Sequence, residues 1–296
     1  MTPVALIKST PDAAVDGRGS IGEILVASGR LSAENAALVL VQQRQQKQPF
    51  GDAAIALKLL TREDVDYALS RQFDYAYLQE RDQTVSTQLV AAYQPFSRVG
   101  ENLRAVRSQI MLRWFNANPM HKVLAVVSPG QGDGRSFIVA NLAVVFSQQG
   151  ERTLLIDADL RSPAGQGQAA LFKLGSGLGL SSILAGRAGL EIAQAVPGLP
   201  GLSVLPAGAI PPNPQELLGR MAFMHMLNAA SQEFDVVLID TPSGMDYADA
   251  DIIGSRAGAA LMVARKNQSA TSGMKQLAQR LQQCDVVLLG SVLNDV

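Results

Sequence analysis

The chain has 296 residues, a formal net charge of -1, a hydrophobic fraction of 47% and one cysteine, Cys284. That size allows one large domain or two with a packed core, and it excludes a globally disordered chain. The balanced charge speaks against nucleic acid as a partner, the single cysteine excludes an internal disulfide and points to a reducing compartment, and neither a signal-peptide pattern nor a membrane-length apolar run is found. The expected setting is the cytoplasm, with a partner at the membrane left open.

Residues 1–19 are small, polar and glycine-containing, and they read as a flexible tail. Residues 20–78 contain an internal repeat at a constant offset of 29: Gly22 matches Gly51, Leu31 matches Leu60, Ser32 matches Thr61 and Gln43 matches Gln72. Each copy predicts a short apolar helix, a turn and a Ser- or Thr-capped second helix; Thr61 with Asp64 approximates a capping box. Val65, Ala68, Leu69 and Phe73 recur at helical spacing, so the copies are expected to bury one another's apolar faces in a small, mainly helical domain. Residues 79–100, polar with a helical patch over 85–93 and Pro95, read as a linker. Residues 101–116 predict a helix on which Leu103, Val106, Ile110, Met111 and Phe115 share a face.

From Lys122 apolar runs alternate with helical patterns. Strands are predicted at Val123–Val127, 153–156, Leu202–Leu205, 236–239, 259–263 and 286–289, and helices at 135–149, 178–186, 214–231, 246–254 and 269–283. Short buried strands with intervening helices indicate an α/β fold, a mainly parallel sheet with helices on both faces. Such sheets bind ligands at the carboxyl ends of their strands.

The first strand runs into Ser128-Pro129-Gly130-Gln131-Gly132-Asp133-Gly134-Arg135-Ser136, followed by a helix. Glycines at alternate positions let the backbone turn tightly with N–H groups inward, and the helix start adds a positive dipole end. A basic residue followed by a hydroxyl matches the end of a phosphate-binding Walker A loop. Arg135 would contact the β/γ-phosphates and Ser136 would hold magnesium. The usual lysine is Arg135, and Pro129 stands where the first glycine belongs; arginine keeps the charge but is bulkier and planar. Two further strands end in acids, at Asp157 with Asp159 and at Asp240. Carboxylates there are costly to bury unless a cation or hydrogen bonds meet them. Asp240 fits a Walker B role, Asp157 can orient water or deprotonate an attacking hydroxyl, and Asp159 can complete a magnesium shell or cap its own turn. Arg161 has two options, an ion pair with Asp159 or a phosphate across a subunit boundary.

These motifs, with LLIDADLRSP, LPAGAIPPNPQELL at 205–218, FDVVLIDTP at 234–242 and the closing GSVLND, resemble the cytoplasmic domain of bacterial tyrosine kinases, the exopolysaccharide chain-length-determinant type, over residues 96–296. The resemblance implies a P-loop NTPase fold, ATP and Mg2+ as cofactors, and ATP-dependent tyrosine phosphorylation in exopolysaccharide chain-length control and export beside a membrane-bound partner. It implies catalytic roles for Arg135, Asp157, Asp159 and Asp240. Nucleotide contacts are implied from Gly130, Gln131, Gly132, Asp133, Gly134, Arg135, Ser136 and Phe137, with Asn294 near the base. Ser136, Asp159 and Asp240 are the implied magnesium set. Glu101, Arg104 and Arg107, at helical spacing, match the family's ring interface and imply a homo-oligomer; by pattern alone they equally form a solvated face. No tyrosine follows Tyr247, so the expected phosphoacceptor is not in a C-terminal cluster; Tyr75, Tyr77 and Tyr93 are the alternatives. Arg135 and this departure motivate a second reading, a non-catalytic or weakly hydrolysing nucleotide switch.

The 20–78 repeat resembles the N-terminal domains of type II secretion and type IV pilus ATPases, some of which bind cyclic di-GMP through a twin repeat opening in Arg-Leu-Gly and closing in Gln. Gly22, Gly51, Gln43 and Gln72 match, but the openings are Ser20-Ile21 and Pro49-Phe50, without the arginines. A docking module for a secretion or synthesis partner is the favoured expectation, with cyclic di-GMP as the other ligand considered.

Overall fold

The computed structural model describes residues 19–73, 76–79, 82–163, 165–175 and 177–295. All but the last residue of the expected N-terminal tail lies outside this set. The chain divides into two units, Met1–Tyr75 and Ala76–Val296.

Among the described residues, the first unit holds four helices: α1 (Ile21–Ala27), α2 (Ala33–Gln46), α3 (Phe50–Ala56) and α4 (Arg62–Gln72). Their starts follow the sequence chemistry. Ser20 and Glu23 form a capping box, Ser32 accepts from Asn35 N, and Thr61 with Asp64 forms a second box. α1 packs on α4 and α2 on α3, so each repeat buries its helices largely against the other copy. Ile24, Leu25, Val39, Ala53, Ala54, Val65 and Ala68 are buried there. Phe73 departs from the expected face: it ends α4 and is 72% exposed.

In the second unit, the segment expected to be a linker is instead core. Val85, Leu89, Ala91, Ala92 and Tyr93 are buried, and residues Val90–Tyr93 form a short helix, α5. Two buried polar side chains satisfy this segment's backbone. Asn141 accepts from Ala91 N at 2.9 Å and donates to Gln88 O at 3.1 Å, while Gln148 donates to Ala76 O and Ala91 O. The polar composition that suggested a linker therefore belongs to a strap anchored by internal amides. α6 (Arg98–Ile110) follows and continues into a π-helical turn, Met111–Phe115. Leu103, Ile110 and Phe115 are buried on the expected face, with Val106 and Met111 packed beside them. Trp114 stacks on His121 with centroids 3.6 Å apart and donates to Val123 O, tying the turn to the first strand.

The remaining elements are β1 (Val123–Val127), α7 (Arg135–Ser147), β2 (Thr153–Asp157), α8 (Gly167–Leu171), α9 (Leu180–Leu184), β3 (Gln194–Ala195), β4 (Leu202–Leu205), α10 (Pro214–Gly219), α11 (Met221–Glu233), β5 (Val236–Asp240), α12 (Asp249–Ala257), β6 (Ala259–Arg265), α13 (Thr271–Gln283) and β7 (Val287–Asn294). The sheet order is β3-β4-β2-β5-β1-β6-β7, and every pairing is parallel except β3 with β4. Alternate residues of β1 serve opposite faces. Leu124 and Val126 join a core with α6 and α7, and Ala125 and Val127 join one with α10 to α13. The fold is thus a P-loop α/β sandwich with helices on both faces. The helix expected over 214–231 breaks at Arg220, which takes an extended conformation, and the helix expected at 246 starts at Asp249, leaving 241–248 as a loop. Among the described residues no helix is long and apolar enough to cross a membrane.

Candidate functional site

The site lies where β1, β2 and β5 end. β1 delivers the loop from Ser128, and α7 starts at Arg135 behind it. The loop is braced from within and from its flank. Asp133 accepts from Gly130 N at 2.7 Å and from the Ser269 hydroxyl at 2.6 Å. Asn294, at the end of β7, donates to Asp133 O at 3.2 Å. Gly134 has φ +90°, and a Cβ there would lie 2.0 Å from Asn294 Nδ2, so glycine alone fits between loop and strand. Asp133 and Asn294 thus shape the loop. Asn294, expected near a base, is buried with its amide committed to the loop backbone. Gly130 and Gln131 line an outer cavity of about 400 Å³ together with Asp246, Gln268 and Ser269. Phe137 faces away, half-buried against the α6–α7 core.

Beneath the loop the expected acids meet. Asp157 and Asp240 are register partners on neighbouring strands, and they are 3% and 1% exposed. Arg135 is buried beside them. Its Nη1 donates to Ser128 Oγ at 2.6 Å, and its Nε stands 3.3 Å from Asp240 Oδ1. The guanidinium therefore lies under the loop as the partner of Asp240. Burial pushes Asp240 up from the ordinary carboxylate range, opposed by the charge of Arg135 and then by the Ser136 hydroxyl and Gln168 amide. Asp157 is pushed well above that range by burial first and by the charge of Asp240 second. Two buried carboxylates side by side favour retention of a proton on one, and the cause here assigns it to Asp157.

A residue that sequence reading missed joins the pair. Gln168, fully buried on α8, donates through Nε2 to Asp240 Oδ2 at 2.7 Å and to Ser136 O at 3.2 Å, and its own N–H donates to Asp157 Oδ2 at 3.0 Å. The preceding Gly167 has φ +60°, and a Cβ there would lie 2.7 Å from Asp157 Oδ2. The one visible signal was a glutamine between glycine and alanines in a stretch assigned to neither helix nor strand.

Asp159 is the expected site residue that stands apart. Its carboxylate accepts from Arg161 N, Ser162 N and the Ser162 hydroxyl, which makes it the cap of its own turn. It lines a cleft of about 250 Å³ with Asp157, Ser162, Ala207 and Gly208. Arg161 does not pair with Asp159: it forms a two-pronged ion pair with buried Asp249, at 2.7 and 3.0 Å, and lies 3.8 Å over the Tyr247 ring. Glu101 pairs with Arg104 at 2.5 Å, whereas Arg107 donates to Val145 O and so ties α6 to α7. Of the alternative acceptors, Tyr93 is buried with its hydroxyl 2.7 and 2.9 Å from the carbonyls of Asp82 and Val85; Tyr75 lies outside the described residues.

The AAA domain family matches residues 121–288. The chain is 33% identical over 219 residues to the tyrosine-protein kinase YwqD of Bacillus subtilis, covering 74% of this chain and 90% of that protein. It is 31% identical to the tyrosine-protein kinase etk of Escherichia coli K12, again over 74% of this chain but only 29% of that longer protein. Among solved structures, the kinase domain of Escherichia coli ETK superposes with a TM-score of 0.67 at 30% identity, covering 74% of this chain and 83% of that one. With the phosphate loop, the two acidic strand ends and this coverage taken together, the chain belongs to the bacterial tyrosine-protein kinase family.

Proposed function

We propose that the chain is an ATP- and magnesium-dependent protein tyrosine kinase of exopolysaccharide chain-length control and export, recruited at the inner membrane by a membrane-bound polysaccharide partner. The observation that carries this reading is the convergence of Arg135, Ser136, Asp157 and Asp240 beneath one glycine-rich loop. The residues fit the cofactors. Asp240 Oδ1 and Arg135 Nε are buried without a well-aligned hydrogen bond, which a cation and a phosphate would supply with partners. ATP supplies the phosphoryl group when bound, and magnesium neutralises its oxygens. The loop amides hold the phosphate end, and Arg135 joins them only by turning from Ser128 Oγ and Asp240. Ser136 and Asp240 hold the cation, and a cation of this kind takes the rest of its shell from phosphate and water. Asp159 joins them only by giving up its bonds to Arg161 N and Ser162. Asp157, beside Asp240 at the strand ends, would accept the tyrosyl proton in its ionised form, which a bound cation would favour; a phenol with a pKa near 10 needs such a base.

Self-association through α6 would use Glu101, Arg104 and Arg107, of which Arg107 also donates to Val145 O of α7. For residues 20–78 we favour docking of a protein partner over cyclic di-GMP. Incubation with labelled ATP and magnesium, followed by phosphotyrosine detection, tests the central claim. Absence of transfer both to the chain itself and to the partner's cytoplasmic segment would leave the nucleotide-switch reading in its place.

A further inference from the structure

We infer that Tyr247 is a phosphoacceptor of this chain and that Arg161 is the group its phosphate engages; the inference rests on the kinase reading above. The sequence holds five tyrosines. Tyr67 and Tyr93 are each 8% exposed, and the Tyr93 hydroxyl lies against two backbone carbonyls, so neither reaches a second active site without unfolding its surroundings. Tyr77 is half-buried. Tyr247 is 42% exposed, on the loop between β5 and α12.

Its surroundings suit a phosphate. The Arg161 guanidinium lies 3.8 Å over the ring, held by Nε and Nη2 bonds to Asp249 that leave further N–H groups to donate. Asp249 is fully buried, so Arg161 cannot leave it without stranding a charge, and the guanidinium stays within reach of a group added to the phenol. The loop is joined to the phosphate-binding loop by Gly244 N to Ser128 O at 2.8 Å and Met245 N to Pro129 O at 3.1 Å. A charge added at Tyr247 is therefore felt on a segment that touches the site. In the transfer the phenolic oxygen bonds to the γ-phosphorus of ATP, the bond from that phosphorus to the bridging oxygen breaks, ADP leaves, and the phenolic proton passes to a carboxylate base. The product carries a charge of about -1.5 to -2 at neutral pH.

The test uses the full chain with ATP and magnesium, with phosphotyrosines mapped by mass spectrometry and an added Glu–Tyr copolymer as a second acceptor. The expected result is phosphate on the Tyr247 peptide, absent in Tyr247→Phe, which still phosphorylates the copolymer. The 31P titration midpoint of the modified wild type should fall below the value of about 6 for phosphotyrosine and return towards it in Arg161→Lys, where the fork is lost. Copolymer phosphorylation with phosphate found only at Tyr75, Tyr77 or elsewhere overturns this inference and leaves the kinase reading intact. An unshifted midpoint removes the role of Arg161. No transfer even to the copolymer overturns both.

Discussion

The helical repeat unit and the phosphate-loop site use polar side chains in opposite ways. In the repeat, Ser20 with Glu23, Ser32 with Asn35 and Thr61 with Asp64 meet three residues apart, at exposed helix starts. In the site, Arg135, Asp157, Gln168 and Asp240 come from separate elements and are all buried, and Arg135 Nε, Gln168 Oε1 and Asp240 Oδ1 lack hydrogen-bond partners. The first arrangement finishes helices at little cost. The second holds charge in a dry place, which is unfavourable for the fold and useful for stabilising charge that develops in a reaction. In this comparison the local pairs mark stability, and the cluster of buried charges under the loop marks function.

Breaking the site's one buried ion pair should have the largest effect. Arg135→Ala strands Asp240, with an expected loss of roughly 3–5 kcal/mol for a broken buried pair, less where Asp240 takes up a proton. Urea unfolding measures that loss. Phosphoryl transfer should fall about 100-fold or more, as for removal of a preorganised charge partner. Arg135→Lys, which restores the common loop residue, should recover most transfer while losing the bond to Ser128 Oγ. Gln168→Ala comes next, because it removes one donor from a buried carboxylate: about 1–3 kcal/mol of stability, together with weaker binding of an ATP analogue by calorimetry. Unchanged affinity in Gln168→Ala would place Gln168 with the stabilising residues and blur the contrast.

The strands were legible because continuous apolar runs bounded by turn residues have few other solutions; Asp157 and Asp240 were legible because acids at strand ends are costly without a purpose, and Arg135 because a basic residue closes the glycine-rich loop at a helix start. What escaped was fixed by tertiary partners. The strap over 85–93 did not read as core because its backbone needs are met by Asn141 and Gln148, fifty or more residues away. β7 runs on to Asn294 beyond the expected end, since an edge strand half-exposed on one side shows alternation rather than an apolar run. Gln168 gave no periodic signal at all. Its role exists only where α8 meets the ends of β2 and β5. For Arg161 the sequence offered its neighbour Asp159 or a phosphate across a subunit boundary, and within the chain the fold pairs it with Asp249, 88 residues away.

The pH dependence of stability separates the two regions further. Asp157 binds its proton more tightly folded than unfolded, so its contribution is fully present below the unfolded value of 3.8 and is lost as pH rises towards its raised folded value. Asp157→Asn lacks that slope. The amide can accept only one of the two N–H bonds from Asp159 and Gln168, but this offset does not change with pH. Between pH 4 and pH 7 the ligand-free wild type should therefore lose ground to the variant, by about 1.4 kcal/mol for each unit of displacement. Parallel stability curves would mean that Asp157 is ionised in the resting site.

The smallest expected effect tests the repeat unit. Thr61 accepts from Asp64 N at 3.2 Å, and Asp64 accepts from Thr61 N at 3.0 Å and from Arg30 at 2.6 Å. Thr61→Ala removes one half of this box and leaves the Arg30 pair, so the cost should be near 1 kcal/mol. Burial raises the pKa of Asp64, but the Thr61 N–H, the Thr61 hydroxyl and the Arg30 guanidinium together hold it below its ordinary value. Part of the cost should accordingly disappear in acid, where Asp64 is protonated in both states and the box is already open. Nucleotide affinity and phosphoryl transfer should not move. If Thr61→Ala changed either one, the helix starts of the repeat would be coupled to the phosphate loop, and local pairing would no longer distinguish residues that hold the fold from those that serve the reaction.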